Sequence, residues 1–118
     1  MVTKEGELTM NKLINIDEMK CLVSDNKITL LYISSERCEV CKVILPRLVE
    51  MLESYPLVAV MRADIEELPL LSGEYSVFTI PCVLVFVEGK EVFREARYIS
   101  LEQLNEQVDR YYTMLYKE

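Results

Sequence analysis

Two cysteines separated by two residues, Cys38 and Cys41, lie in the stretch CEVCKVILP, just before a long apolar pattern with helical spacing. A strand-like run ends at Ser34, so Cys38 is expected at the carboxyl edge of a sheet and at a helix N-terminus. Unpaired N–H groups and the helix dipole stabilise a thiolate there, and the thiolate is the form that attacks disulfides. Cys41 lies one helical turn further on, close enough to attack a mixed disulfide and release the partner. The spacing therefore favours thiol–disulfide chemistry.

Charged residues beside the two thiols act on a thiolate in opposite directions. Arg37 and Lys42 are cations that favour negative sulfur, whereas Glu39, between the cysteines, disfavours it. A helix N-terminus also accommodates an acidic residue such as Glu39. We treat these three residues as modulating the reactivity of the pair.

A metal site is the other chemistry that two close cysteines allow. Zinc takes four ligands, the chain has no histidine, and Cys21 and Cys82 form no second close pair. An iron–sulfur cluster would need the same scattered cysteines. We expect no metal, and we expect Cys21 and Cys82 to pack in the core as small apolar residues.

The elements that must position the thiols follow from the spacing of apolar residues. The run Ile28–Ser34 is short and nearly all apolar, which predicts a central strand covered on both faces. A helix is predicted from near Cys38 to about Tyr55, with Pro46 inside it, and a second buried strand over Leu57–Asp64. The predicted apolar face of that helix consists of Val40, Ile44, Leu48, Met51, Leu52 and Tyr55.

The rest of the chain supplies a helix before this unit and a hairpin and helix after it. These elements are a helix of about ten residues opened by Asn15 and Glu18, an edge strand near Leu8–Met10, a short helix near Glu66–Ser72, a hairpin over Cys82–Arg97 turning at 88–90, and a last helix capped by Ser100 and Gln103. The order predicts one α/β domain over residues 1–118. Its central mixed sheet has helices on both faces and ends in a hairpin and a helix.

Composition and charge exclude several classes of partner. The net charge of -7 argues against nucleic acid and against an anionic membrane surface. The polar start shows no signal-peptide pattern, and the apolar runs are only long enough for strands, not for a transmembrane helix. The expected location is therefore the cytoplasm. No glycine motif for a nucleotide is present, so we expect no tightly bound cofactor. Electrons would come from an external reductase or thiol pool.

Two signatures resemble the thioredoxin family, and the similarity covers most of the chain. The motif CEVCK, with Pro46 five residues after Cys41, resembles that family's CxxCK followed by a helix proline. The segment EYSVFTIPCVLVFVEGKEV is similar to its second signature. The resemblance implies a thioredoxin fold with a redox-active disulfide between Cys38 and Cys41.

The second signature also implies a substrate-binding segment. In the family its proline, here Pro81, is cis and stands beside the cysteines. Thr79 and Ile80 would then present free backbone groups with which an extended substrate can pair.

Three positions depart from the family pattern. The chain has no tryptophan. Arg37 precedes the first cysteine, at the position where thioredoxin has a tryptophan. Tyr32 stands where the family has a buried aspartate that helps to move the proton of the second cysteine. Arg97 lies near the place of a glycine beside the substrate groove. The lost aspartate argues against fast, general disulfide reduction. We expect Tyr32 to be a core residue whose hydroxyl needs a partner.

Two classes of function remain. The first is a thiol–disulfide oxidoreductase in which Cys38 is the nucleophile and Cys41 the resolving thiol. Its partners would be protein disulfides and a donor like thioredoxin reductase, and the chain would act as a monomer. The alternative is a redox sensor or a non-catalytic binding protein on the same scaffold. A pure scaffold has little reason to keep both thiols, so we favour the enzyme.

Overall fold

The computed structural model describes residues 10–116. Within them, helices and strands follow one another in the predicted order. The elements are β1 (Asn11–Lys12), α1 (Ile16–Asp25), β2 (Ile28–Ser34), α2 (Glu39–Leu52), β3 (Ala59–Asp64), α3 (Leu70–Tyr75), β4 (Cys82–Val87), β5 (Lys90–Ala96) and α4 (Leu101–Tyr116).

The strands form one mixed sheet in the order β1-β3-β2-β4-β5, with β2 at its centre. β2 runs parallel to β3 and antiparallel to β4, pairing Ser34 with Asp64 and Ile33 with Cys82. β5 returns antiparallel to β4 and pairs Ala96 with Cys82. The ends of β2, β3 and β5 and the start of β4 therefore meet at one edge of the sheet, which we call the site edge.

The sheet separates two hydrophobic cores. Leu30 and Tyr32 of β2 pack on one face with buried residues of α2 and α4. Leu31 and Ile33 pack on the other face with residues of α1 and α3. All four side chains are at most 1% exposed. This alternation confirms a central strand buried on both faces, between two layers of helices.

Side-chain caps begin the first and last helices as predicted. Asn15 Oδ1 accepts the Glu18 N–H at 2.8 Å, and the Glu18 carboxylate accepts the Ile14 N–H at 2.9 Å. Ser100 Oγ accepts the Gln103 N–H at 3.2 Å. The bonds to Asn15 and Ser100 satisfy N–H groups that the first turn of a helix leaves unpaired, and the bond to Glu18 fixes the chain that enters α1.

The prediction for the short third helix was wrong in its position. The helix occupies Leu70–Tyr75 and not Glu66–Ser72. The chain first makes a tight turn, because the side chain of Asp64 accepts the Glu66 N–H at 2.8 Å. Pro69 then serves as the N-cap, a place where its missing N–H costs nothing.

The predicted inner face of α2 was rotated by about one residue at its start. Val40 is 55% exposed, while Cys41 is only 3% exposed and faces the core. The buried row follows the helical spacing through Cys41, Leu48 and Leu52. Pro46 lies inside α2 as predicted.

The edge strand was predicted near Leu8–Met10, a range that falls mostly outside the described residues. The structure has the strand at Asn11–Lys12, where it pairs parallel to β3. No helix within residues 10–116 is both long enough and apolar enough to cross a bilayer.

Candidate active site

Cys38 and Cys41 are joined as a disulfide at the start of α2. Cys38 is the N-cap of the helix, and its sulfur accepts the Cys41 N–H at 3.2 Å. Their Cα atoms are 5.2 Å apart. The N-cap hydrogen bond that a serine or aspartate oxygen usually accepts is thus accepted by sulfur. In the reduced protein the same N–H groups and the helix dipole favour a thiolate.

The two sulfurs differ in exposure. Cys41 is 3% exposed and belongs to the core between the sheet, α2 and α4. Cys38 is half-buried at the rim of that core. A second protein can therefore reach Cys38 directly but can reach Cys41 only through Cys38.

Tyr32 packs in the same core as Cys41, at the position where the family has its buried aspartate. Its side chain is 1% exposed, and its hydroxyl donates to the Cys41 carbonyl at 2.8 Å. Burial raises the pKa of Tyr32 well above its ordinary range, so the hydroxyl stays protonated at neutral pH. The predicted need of this hydroxyl for a partner is confirmed, and the partner is the active-site backbone.

The three charged residues around the cysteines form ion pairs at the surface. Arg37 Nε lies 3.5 Å from Glu66 Oε2, and the Arg37 side chain is 84% exposed. Lys42 Nζ lies 3.4 Å from Glu39 Oε2. Such exposed pairs contribute little to stability. The modulation of the thiols by Arg37, Glu39 and Lys42 stays a prediction.

The Ile80–Pro81 peptide bond is cis, as the resemblance implied. Pro81 immediately precedes β4 and so lies at the site edge. Thr79 is exposed and Ile80 half-buried. The described part of the chain offers no hydrogen-bond partner to the backbone N–H and carbonyl groups of Thr79 and Ile80. Their role in binding substrate stays a prediction.

Arg97 lies directly beside this segment. Its N–H donates to the Pro81 carbonyl at 2.7 Å, and its side chain is exposed. Its φ of 71° falls in the left-handed region, which glycine adopts most easily. This conformation gives a physical reason why the family has a glycine at about this place.

The remaining two cysteines, Cys21 and Cys82, are free thiols. Cys82 is 1% exposed and packs in the core on the opposite face of the sheet, where burial raises the pKa of its thiol. The prediction that Cys82 is a core residue is confirmed. The same prediction for Cys21 was wrong, since Cys21 is exposed on α1.

Sequence reasoning missed the residues behind Cys41. A small cleft of about 170 Å³ lies there, and Cys41, Asp64 and Arg62 are among its lining residues. A signal existed, because Asp64 ends a strand that runs parallel to the strand leading to Cys38, and such ends share one sheet edge. Within residues 10–116, no three His, Cys, Asp or Glu side chains are placed to hold a metal ion.

Comparison with known proteins gives a consistent family. The thioredoxin family model matches residues 11–110. The thioredoxin-like protein YdfQ of Bacillus subtilis is 31% identical over 105 residues, which cover 89% of this chain and 91% of that protein. Thioredoxin-2 of Pyricularia oryzae is 27% identical over 87 residues, covering 74% of this chain and 51% of that protein.

Solved structures agree on the fold. Oxidised mitochondrial thioredoxin 3 from Saccharomyces cerevisiae superimposes with a TM-score of 0.79 at 21% identity, covering 89% of this chain and 98% of that one. Plasmodium falciparum thioredoxin superimposes with a TM-score of 0.77 at 21% identity, covering 83% and 98%. The predicted thioredoxin fold is confirmed.

A non-catalytic scaffold is not favoured by these findings, because both cysteines are present and close enough to form the disulfide. The motif, its place at a helix N-terminus, the cis proline and the family match all agree. The chain belongs to the thioredoxin family, whose members are thiol–disulfide oxidoreductases.

Proposed function

We propose that this protein reduces or exchanges disulfides of other proteins, with Cys38 as the attacking thiolate and Cys41 as the resolving thiol. The difference in exposure between the two sulfurs supports these roles. Cys38 is half-buried at a helix N-terminus, whereas Cys41 is 3% exposed behind it. Only Cys38 is open to a substrate sulfur that approaches from solvent.

The reaction takes two exchanges. The Cys38 thiolate attacks one sulfur of the substrate disulfide, forms a mixed disulfide and expels the other substrate sulfur as a thiolate. Cys41 then loses its proton and attacks Cys38 Sγ, which breaks the mixed disulfide and expels the second substrate thiolate. The dithiol gives two electrons to the substrate and becomes the intramolecular disulfide.

Thr79, Ile80 and Pro81 are proposed to hold the substrate during these exchanges. The backbone groups of Thr79 and Ile80 have no hydrogen-bond partner among residues 10–116. An extended segment of the substrate can pair with them as an added strand. The substrate cysteine would then lie at the site edge, where Cys38 follows the end of β2.

Members of this family need no tightly bound cofactor and act on protein disulfides. We further propose that electrons return from a separate reductase or thiol pool, and that the protein works as a monomer in the cytoplasm. A reducing compartment keeps Cys38 and Cys41 available as a dithiol between turnovers.

Turnover of insulin disulfides, with dithiothreitol as the electron source, tests the roles of the cysteines. Cys38→Ser is expected to abolish turnover. Reduced Cys41→Ser, mixed with insulin after dithiothreitol has been removed, is expected to accumulate a mixed disulfide that mass spectrometry detects. Cys21→Ser is the matched control, because Cys21 is exposed and lies on α1. Full turnover by Cys38→Ser would contradict the proposal. Disulfide formation without turnover in the wild type would favour a redox sensor instead.

A further inference from the structure

The second exchange requires a buried thiol to lose a proton. Cys41 is 3% exposed, and only its thiolate attacks disulfides efficiently. Tyr32 does not take this proton, because its hydroxyl already donates to the Cys41 carbonyl. Burial also raises the pKa of that hydroxyl, so it remains protonated. The proton of Cys41 therefore needs another acceptor.

We propose that Asp64 accepts the proton of Cys41 through water in the cleft that both residues line. This inference rests on the proposed roles of Cys38 and Cys41. Asp64 ends β3 and pairs with Ser34 at the end of β2, four residues before Cys38. The strand register thus brings a carboxylate to the inner side of the active-site turn.

Asp64 differs from the other acidic residues in its burial. It is 7% exposed and is the only buried carboxylate among residues 10–116. The cleft of about 170 Å³ that it lines together with Cys41 has room for several water molecules, since each needs roughly 10–15 Å³ of such space. A short water chain can therefore connect the thiol and the carboxylate.

The two oxygens of Asp64 have different surroundings. Oδ1 accepts the Glu66 N–H at 2.8 Å and so fixes the carboxylate. Oδ2 has no donor within the described part of the chain, and it is not among the buried atoms left without a partner. Solvent therefore reaches this oxygen, and because Asp64 lines the cleft, the oxygen can accept a proton from water there.

Other charged groups also line the cleft. Lys42 comes from α2, Arg62 from β3 and Glu36 from the loop before Cys38. The two cations stabilise negative charge as it develops on sulfur. Glu36 is the competing acceptor, but it is exposed at the surface, whereas Asp64 is buried.

The proton and the electrons balance in the second exchange. Water in the cleft takes the proton from Cys41 Sγ and passes a proton to Asp64 Oδ2. The thiolate attacks Cys38 Sγ, and the substrate sulfur leaves with the electron pair of the mixed disulfide. The protonated carboxyl then returns its proton to solvent through the same cleft.

Single-turnover kinetics with an aromatic disulfide that releases a coloured thiolate separate the two exchanges. The first equivalent of colour reports attack by Cys38, and the second reports resolution by Cys41. For Asp64→Asn we expect an unchanged first phase and a second phase slowed roughly a hundredfold at neutral pH, the lower range for a positioned base. The loss should shrink as the pH becomes alkaline, because hydroxide can then remove the thiol proton without a protein base.

Two carboxylate-to-amide controls sharpen this test. Glu67 lies in the same turn as Asp64 and pairs with Lys12 at the surface. The substitution Glu67→Gln should therefore leave both phases unchanged. Glu36→Gln should change the second phase much less than Asp64→Asn does. A pH-dependent loss in Glu36→Gln but not in Asp64→Asn would overturn the proposal.

Other outcomes also decide the matter. An equal loss at all pH values in Asp64→Asn would indicate a structural role and overturn the inference. If that variant fails to fold, Asp64→Ser can replace it, because serine keeps an oxygen that can accept the Glu66 N–H. An unchanged second phase in Asp64→Ser would also overturn the inference. A wild type without any first phase would instead overturn the proposed roles of the cysteines.

Discussion

Tyr32 is the residue that most alters the chemistry beneath the disulfide. An ionisable acid at this place, as in the family, exchanges protons at neutral pH, whereas a buried phenol does not. The tyrosine instead holds the Cys41 backbone through a hydrogen bond of 2.8 Å. Tyr32 thus positions the second cysteine, and the proposed acceptor of its proton, Asp64, is a different residue.

Removal of the Tyr32 hydroxyl should destabilise the oxidised protein. Tyr32→Phe leaves a buried carbonyl without this donor, so the free energy of unfolding should fall by about 1–2 kcal/mol. Urea denaturation followed by circular dichroism measures this difference. Tyr98→Phe is the matched control, because Tyr98 is 81% exposed, and its effect should stay within about 0.5 kcal/mol.

The same variant has a signature at high pH. Burial raises the pKa of Tyr32 in the folded state above the unfolded value of about 10. The stability from this group is therefore complete below pH 10 or so and is lost as the pH rises further. Wild type should lose stability more steeply there than Tyr32→Phe, and the gap between them should narrow. A gap that stays constant at alkaline pH would contradict the burial of an un-ionised hydroxyl.

At the scale of elements, short residue patterns predicted those features whose formation depends on neighbouring residues. The strand Ile28–Ser34, the caps at Asn15 and Ser100, and the thiols at the start of α2 all follow from short-range residue patterns. The turn predicted at 88–90 is also present, and Glu88 and Gly89 both have the positive φ that a tight hairpin turn requires.

Features that depend on distant residues were not predictable in the same way. The inward rotation of Cys41 depends on how α2 docks on the sheet, and Val40 offers an equally apolar alternative. The start of α3 depends on a turn that the Asp64 side chain stabilises. The cleft that Asp64 shares with Cys41 depends on the register between β2 and β3. The predicted strand ends at Ser34 and Asp64 indicated a shared sheet edge but not this register.

Arg94 links the hairpin to the substrate-binding segment. From β5 it donates to the carbonyls of Tyr75 and Ser76, at 2.7 and 2.8 Å. There α3 ends in a left-handed residue, since Ser76 has φ of 56°. Glu91 fixes the guanidinium through two further hydrogen bonds, at 2.6 and 2.8 Å. The chain that leads from α3 to Pro81 is thus anchored to β5.

Loss of this anchor should weaken substrate binding more than chemistry. For Arg94→Ala we expect a several-fold rise in KM for a protein disulfide and little change in the rate at which Cys38 attacks a small aromatic disulfide. Stability should also fall by about 1–3 kcal/mol, since charged hydrogen bonds are lost. Steady-state kinetics with both substrates measures the split.

Two further variants bracket the result for Arg94. Arg94→Lys keeps the charge and some donors, so it should recover part of the lost affinity. Arg110→Ala removes an exposed arginine of α4 and should leave KM unchanged. Equal losses with both substrates in Arg94→Ala would indicate a general structural role and not an anchor for substrate.

At the scale of the whole molecule, a single sheet couples two cores that have no helix in common. Residues at the site edge pack in both cores. Cys41 belongs to one core, and Cys82, next to Pro81, belongs to the other. The two active-site cysteines, which both pack in or against one core, and the substrate-binding segment can keep their relative position only while both cores are intact. The molecule should therefore unfold as one unit.

Neighbouring leucines of β2 allow a test of this coupling. Leu30 faces the core of α2 and α4, Leu31 faces the core of α1 and α3, and both are 0% exposed. Leu30→Ala and Leu31→Ala should each lower the free energy of unfolding by about 2–5 kcal/mol, the cost of a buried cavity. Leu70→Ala, at a leucine that is 70% exposed, should change it by less than about 0.5 kcal/mol.

The shape of the unfolding curve shows whether the two cores unfold together. If the sheet couples the cores, urea curves from fluorescence and from circular dichroism should coincide for both variants, with an unchanged dependence on urea. Disulfide turnover should then be lost in step with the folded fraction, whichever core holds the cavity. If Leu31→Ala instead gave two transitions, α1 and α3 would unfold separately, and the substrate-binding segment would lose its support before the disulfide does.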